Sequence, residues 1–233
     1  MGQQIEQLAT FVAQTPLEKI PEEVQRHAKL VVLDTLGVIL AGAERPEVRA
    51  LREKMSSTAG TGATVFAPGW PAHDPRTAAL LNTIAGRSIE LGEGNRYVSY
   101  QGAMQILPGV LAVGETAQTS GREMLAALIL GYDFGARIAA AMTSRPLAHQ
   151  NGQAALLGAA AAGARMRGLN AADTSRAVRI AATLVLTPSY NNAIAGATAL
   201  NVAGGMSGFA AGFVPDLTAA GFTAQDDAIE EAL

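Results

Sequence analysis

The stretch that decides the fold is Pro21 followed by EEVQRHAKLVVLDTLGVILAG, residues 22–42. Val24, Ala28, Val31, Thr35 and Ile39 recur at i, i+4, i+7 spacing, the period of one helix face. Pro21 suits a first helical position, because its missing N–H would have no intrahelical partner there. Gly42 stands where such a helix would stop. Gly37, inside it, is unfavourable in an isolated helix and predicts close approach of a second helix. Outward from this segment the same period predicts helices over 3–13, 46–57, 75–91, 105–119, 121–144, 152–168, 171–187 and 198–220. Ser120, with Glu123 three residues on, has the pattern of a capping box. The one credible strand is GTGATVFAPG, residues 60–69. No fixed-period repeat occurs. The fold class expected is all-α: a large multi-helix bundle in one domain over residues 1–233.

Composition supports a dry core built from small side chains. Of 233 residues 49% are hydrophobic and 16% charged, with 25 glycines and only 5% aromatics. Without cysteine there is no disulfide, zinc thiolate, iron–sulfur cluster or thiol nucleophile. A net charge of −3 supplies no field for nucleic acid or anionic lipid. The N-terminus MGQQIEQLAT has no basic segment leading into an apolar stretch, so it is not a secretory signal. The expectation is a cytoplasmic protein with neither nucleic-acid nor membrane partners. Residues 180–215 lack Asp, Glu, Lys and Arg, yet Pro188, Asn191, Asn192 and Asn201 argue against a span. That run reads as buried helices packed through Gly and Ala. The acidic end, 216–233, contains no basic residue and reads as solvent-facing. Lysine is confined to Lys19, Lys29 and Lys54, so a lysine-dependent step would have to draw on the N-terminal quarter.

Common catalytic motifs are absent: no G-x-S-x-G, no H-E-x-x-H and no phosphate-binding G-x-x-x-x-G-K. His27, His73 and His149 are too dispersed to suggest a metal site. Two polar segments interrupt the apolar pattern. The first runs from Arg87 to Gln101. Glu90 and Glu93 share a face if the preceding helix reaches them, and paired carboxylates raise one another's pKa toward general acid–base use. Arg87 and Arg96 either pair with these glutamates or clamp a substrate carboxylate. A solvated inter-helix loop is the plain alternative. The second segment is Arg145–Gln153. His149, just before a helix N-terminus, presents a neutral imidazole to a ligand or is held in a helix–helix turn. A third break, Pro188-Ser189-Tyr190-Asn191-Asn192, offers amides and hydroxyls for a ligand or for its own turn.

Taken in order, the segments resemble the MmgE/PrpD family, which includes 2-methylcitrate dehydratase, cis-aconitate decarboxylase and iminodisuccinate epimerase. The resemblance rests on Leu33-Asp34-Thr35-Leu36-Gly37-Val38, Leu40-Ala41-Gly42, Leu107-Pro108-Gly109-Val110-Leu111-Ala112-Val113, Leu130-Gly131-Tyr132-Asp133, Gly158–Ala162, Gly168-Leu169-Asn170 and Gly221-Phe222-Thr223. It implies an all-helical first domain and, in relatives, a second α/β lid domain. This sequence resembles the helical half without that lid. It also implies cofactor-independent proton removal alpha to a carboxylate. Glu90 falls where the family's catalytic Asp stands, and His149 matches a family histidine. Gly92 and Gly94 replace an acid and a threonine, Tyr100-Gln101 stands near an expected His-Pro pair, and no lysine occupies 199–200.

The expected function is a lyase or isomerase with a rearranged site, acting on a small organic acid. His149, Glu90 and Tyr100 are the catalytic candidates; Arg87, Arg96, Gln101, Asn151 and Glu93 are the substrate-binding ones. No metal and no cofactor are expected. Partners would be a small carboxylate and either a second copy or a separately encoded lid-type chain. The competing expectation is a non-catalytic or heteromeric partner subunit.

Overall fold

The structure, a computed structural model, describes residues 2–56, 60–143 and 145–233. Its helices are α1 (Gly2–Gln14), α2 (Glu22–Gly42), α3 (Pro46–Met55), α4 (Pro75–Arg87), α5 (Ala103–Thr116), α6 (Gly121–Ala141), α7 (Ala154–Met166), α8 (Ala171–Ala182), α9 (Asn191–Ile194), α10 (Leu200–Ala219) and α11 (Ala228–Ala232). The all-α class expected from the sequence is the one observed.

α7 is the axis of the bundle. Apart from Arg165, all its residues are buried, and α5, α6, α8 and α10 surround it. Helices come this close only where side chains are small. A Cβ on Gly163 would lie 1.8 Å from the Ala211 carbonyl oxygen of α10, and one on Gly158 would lie 2.6 Å from the Gly131 oxygen of α6. Of the uncharged run 180–215, the part in α10 packs as expected, with Ala210, Ala211 and Val214 buried, but residues 183–199 form turns and the short α9 and none of them is buried. α6 is long and apolar enough to cross a membrane, and here its apolar face packs on α7. Arg165 ties the bundle to its N-terminal helix. It donates to both Glu123 carboxylate oxygens and to the carbonyls of Val12 and Thr15. Asp74, Ser120 and Asn170 accept first-turn N–H groups of α4, α6 and α8. Ser120 makes its half of the expected capping box, but the Glu123 side chain goes to Arg165.

Several expectations are corrected. Residues 60–69 form no strand; among the described residues they make a single bridge, Ala63 to His73. α4 ends at Arg87 rather than 91, and α8 at Ala182 rather than 187. In both places hydrogen bonds of i to i−3 type close the last turn and the chain leaves. The predicted ends at 57 and 144 lie outside the described residues. Gly37 makes no close approach: among the described residues a Cβ there would find no atom of a neighbouring element within 4 Å. The glycine needed for a close approach is Gly42, whose Cβ would lie 1.8 Å from the Ala85 oxygen of α4. On α2, Thr35, Val38, Ile39 and Gly42 are buried, while Leu30, Leu33 and Leu40 face outward. The acidic end is solvent-facing as read, with Asp226, Asp227 and Glu231 exposed, and it is also anchored. Ile229 is buried, and Arg145 and Arg179 donate to the carbonyls of Ala232 and Asp226.

Candidate functional site

Five segments converge on a cavity of about 270 Å³. Arg45 comes from the α2–α3 junction, Arg87, Ser88 and Glu90 from the end of α4, and His149 from the segment before α7. Asn192 of α9, Thr198 and Asn201 at the start of α10 complete the polar wall. α10 directs its N-terminal end at this wall, adding a positive dipole to the two arginines.

Arg87 lies at its floor. It is the last residue of α4, only 1% exposed, and Gly204 of α10 leaves room for its stem: a Cβ there would lie 2.9 Å from Arg87 Cγ. Nη2 donates to both oxygens of Glu90 at 3.0 Å, and Nη1 donates to Gln101 Oε1 at 2.8 Å. Nε has no partner. Burial pulls the Arg87 pKa down, opposed by the charge of Glu90. Glu90 itself is reached by a turn at φ +53°, left-handed for a non-glycine residue. Such a conformation is unfavourable by roughly 1–3 kcal/mol and persists only where surroundings hold it. The Arg87 fork is what holds it here. The Glu90 side chain remains 59% exposed toward the cavity.

His149 is held from behind. Its backbone N–H donates to the Pro188 carbonyl at 2.8 Å, and its ring stacks on Tyr190 with centroids 5.6 Å apart. The Asn151 N–H donates to Nδ1 at 3.2 Å, which assigns the neutral ring's proton to Nε2. Gln105 pins the same segment, its Oε1 accepting from Gly152 N–H and from Ser207. Burial, then the nearby Arg87 charge, lowers the His149 pKa, with Glu90 opposing. The imidazole is therefore neutral near pH 7 and offers an Nε2–H donor.

Of the eight residues expected from the sequence, Arg87, Glu90 and His149 come together here. Gln101 serves the site indirectly, by gripping Arg87. Asn151 sits behind His149; its own side chain is fully buried and its amide atoms make no hydrogen bond among the described residues. Tyr100 does not reach the cavity. Its hydroxyl is buried between α6 and α7, in space left by Gly135 and Gly158, without a partner among the described residues, and its ring meets Tyr132 edge-on. Glu93 and Arg96 line a different groove, of about 700 Å³, between α2, α6 and the 93–97 turn. Glu93 is structural there: it accepts from the Ala103 N–H at 2.7 Å, capping α5, and from Tyr132 Oη at 3.0 Å. Burial raises its pKa. Because α4 stops at Arg87, Glu90 and Glu93 share no helix face. Among the described residues no three His, Asp or Glu side chains gather as metal ligands.

The description MmgE/PrpD N-terminal domain matches residues 6–232. The chain belongs to the MmgE/PrpD family. It is also similar to a cis-aconitate decarboxylase-like protein, oryM, of Aspergillus oryzae (strain ATCC 42149 / RIB 40), with 26% identity over 188 residues. That match covers 76% of this chain and 39% of the relative, so the chain spans about two-fifths of its length. Arg45, Thr198 and Asn201 were missed by sequence reasoning. Arg45 sits at a helix junction with no motif around it, whereas Asn192 belongs to the polar break at 188–192 that did stand out.

Proposed function

We propose that this MmgE/PrpD protein is a lyase acting on a small organic acid, starting with removal of a proton alpha to a carboxylate. The observation that carries the reading is the convergence of Arg87, Glu90 and His149 from distant segments on one small cavity. Arg45 and Arg87 against Glu90 leave a net positive charge, suited to a substrate carboxylate. Glu90 is the base: exposed to the cavity, it takes the alpha proton, and the C–H pair moves into an enediolate. The fixed Arg87 charge and the α10 N-terminal dipole oppose the charge that develops. His149, through Nε2–H, then protonates the group leaving the beta carbon, which departs with the electron pair as the double bond forms. The decarboxylase-like relative and the family's lyases support this class of chemistry.

The test is solvent deuterium incorporation at the alpha carbon, with product formation, followed by proton NMR over a panel of small di- and tricarboxylates. Exchange or elimination with at least one of them is expected, both lost in Glu90→Gln and product formation lost in His149→Ala. If no carboxylate exchanges or binds, or if His149→Ala retains full activity, the reading fails.

A further inference from the structure

The two halves of the site meet at one amide that lies behind the cavity. Gln105 stands in the first turn of α5, 1% exposed, and takes no part in the cavity wall. Its Nε2 donates to the Gln101 carbonyl at 2.9 Å. Its Oε1 accepts from the Gly152 N–H at 3.1 Å and from Ser207 Oγ of α10 at 3.0 Å. Three of the four hydrogen bonds open to an amide are used, each to a different segment. The backbone groups settle its orientation, because a carbonyl faces one end and an N–H the other.

Followed outward, the Nε2 end leads to the charged pair. The Gln101 side chain accepts from Arg87 Nη1, and Arg87 forks onto Glu90. The Oε1 end leads to the imidazole. Gly152 turns at φ +78°, and a Cβ there would lie 2.9 Å from the Ala203 carbonyl oxygen. The N–H just before it, that of Asn151, is the one donated to His149 Nδ1. An apolar side chain of the same shape would fill this space without the desolvation cost of a buried amide. What the amide adds is the connection. We infer that Gln105 is the positioning residue of the site: through opposite ends of one buried amide it sets the spacing between the Arg87–Glu90 pair and His149. The inference rests on the reaction proposed above, in which Glu90 and His149 act on adjacent carbons of one substrate, so their separation has to be held.

Gln105→Met, which keeps the length and removes all three bonds, tests it on the full chain. With a carboxylate that the wild type turns over, kcat for product formation should fall about 100-fold, the scale of a ~1 Å misplacement. KM should move far less, since Arg45 and Arg87 keep their charges. A second readout needs no substrate. Proton–nitrogen NMR of isotope-labelled histidine, with His149 identified by the signal missing from His149→Ala, should show only the Nε2–H tautomer in the wild type. Gln105→Met should show both tautomers, while His27 and His73 are unchanged. A tie that served the fold alone would leave kcat and tautomer as they are in the folded variant. If Gln105→Met loses its helical circular dichroism, Gln105→Glu carries the test. Ionised at alkaline pH, its carboxylate still accepts from Gly152 and Ser207 but has no hydrogen for the Gln101 carbonyl. The His149 tautomer should then be kept while kcat falls. Wild-type kcat in either folded variant, an unchanged tautomer in folded Gln105→Met, or unfolding of both variants would overturn the inference. A wild-type chain that turns over no carboxylate defeats the proposed reaction instead, and the tautomer readout still decides whether Gln105 holds His149.

Discussion

Replacing Arg87 with methionine distinguishes an arginine kept for chemistry from one kept for stability. Methionine retains the stem that packs on Gly204 and removes the guanidinium. What is lost is the fork on Glu90 and the bond to Gln101. Breaking a buried ion pair normally costs about 3–5 kcal/mol, because a charge is left buried and alone. Here the surviving partner is 59% exposed, so water replaces the guanidinium around it. The Gln101 bond is worth about 1 kcal/mol. Against these losses stand the desolvated cation with its unpartnered Nε, an unsatisfied group costing about 1–3 kcal/mol. Glu90 is also freed to leave φ +53°, relieving about 1 kcal/mol or more. The terms nearly cancel, and Arg87→Met should change stability by no more than about 1 kcal/mol. In melting temperature that is within about 4 °C for a chain of this size. The enediolate, by contrast, loses its fixed positive charge, so the exchange rate should fall about 100- to 1000-fold. Urea unfolding and the deuterium-exchange assay give the two numbers on one preparation. A stability loss above about 3 kcal/mol, or exchange at the wild-type rate, would refute the reasoning.

Three further outcomes follow from the packing and the site. Tyr100→Phe deletes a buried hydroxyl with no partner, so thermal unfolding should show no loss of stability, or a gain up to about 1 kcal/mol, with exchange activity retained. Gly163→Ala sets a methyl 1.8 Å from the Ala211 carbonyl oxygen, with backbone on both sides. Helix propensity returns about 1 kcal/mol but overpacking costs about 1–3 or more, so urea titration should show net destabilisation. His149 has a lowered pKa in the folded protein, so the unfolded chain takes up the proton first. Its neutral state therefore supports the fold fully above the unfolded value of about 6.5, and that support is lost as pH falls from there through the folded pKa. Relative to His149→Gln, wild-type unfolding midpoints measured from pH 8 to 5 should be level at high pH and drop in that window.

The helices were legible because their cause is local and repeated. In α7 and α10 small residues recur on every face, and a sequence of that kind folds stably only as buried helix. The strand at 60–69 was misread because glycine-bounded apolar runs satisfy a strand pattern without a neighbour to pair with. Among the described residues one bridge to His73 is all it finds. Gly37 and Gly42 show the limit more sharply. Both are helical glycines in one segment, and only the position of α4 decides that Gly42 is the one a neighbour crowds.

The site was half legible for a related reason. Arg87, Glu90 and His149 are chemistry-bearing residues in polar breaks, and residue type alone draws attention to them. Separating them from Tyr100, Glu93 and Arg96 requires the path of the chain between Ser88 and Gln101, and that path is set by non-local bonds. Glu93 accepts the first N–H of α5 and the hydroxyl of Tyr132 on α6, which pulls it to the far side of the turn. Arg87 holds Glu90 on the near side, in a backbone conformation that glutamate does not favour. Two carboxylates three residues apart are thus placed in different cavities by two different partners. Glu93 is committed on both oxygens and cannot move without uncapping α5. Glu90 is tethered by a side chain that itself lines the cavity, so in the proposed reaction a substrate carboxylate competing for Arg87 would loosen Glu90 at the moment a base is needed. On that proposal Arg87 would be both the substrate's anchor and the restraint on its base, which requires both groups to lie in the same cavity as His149.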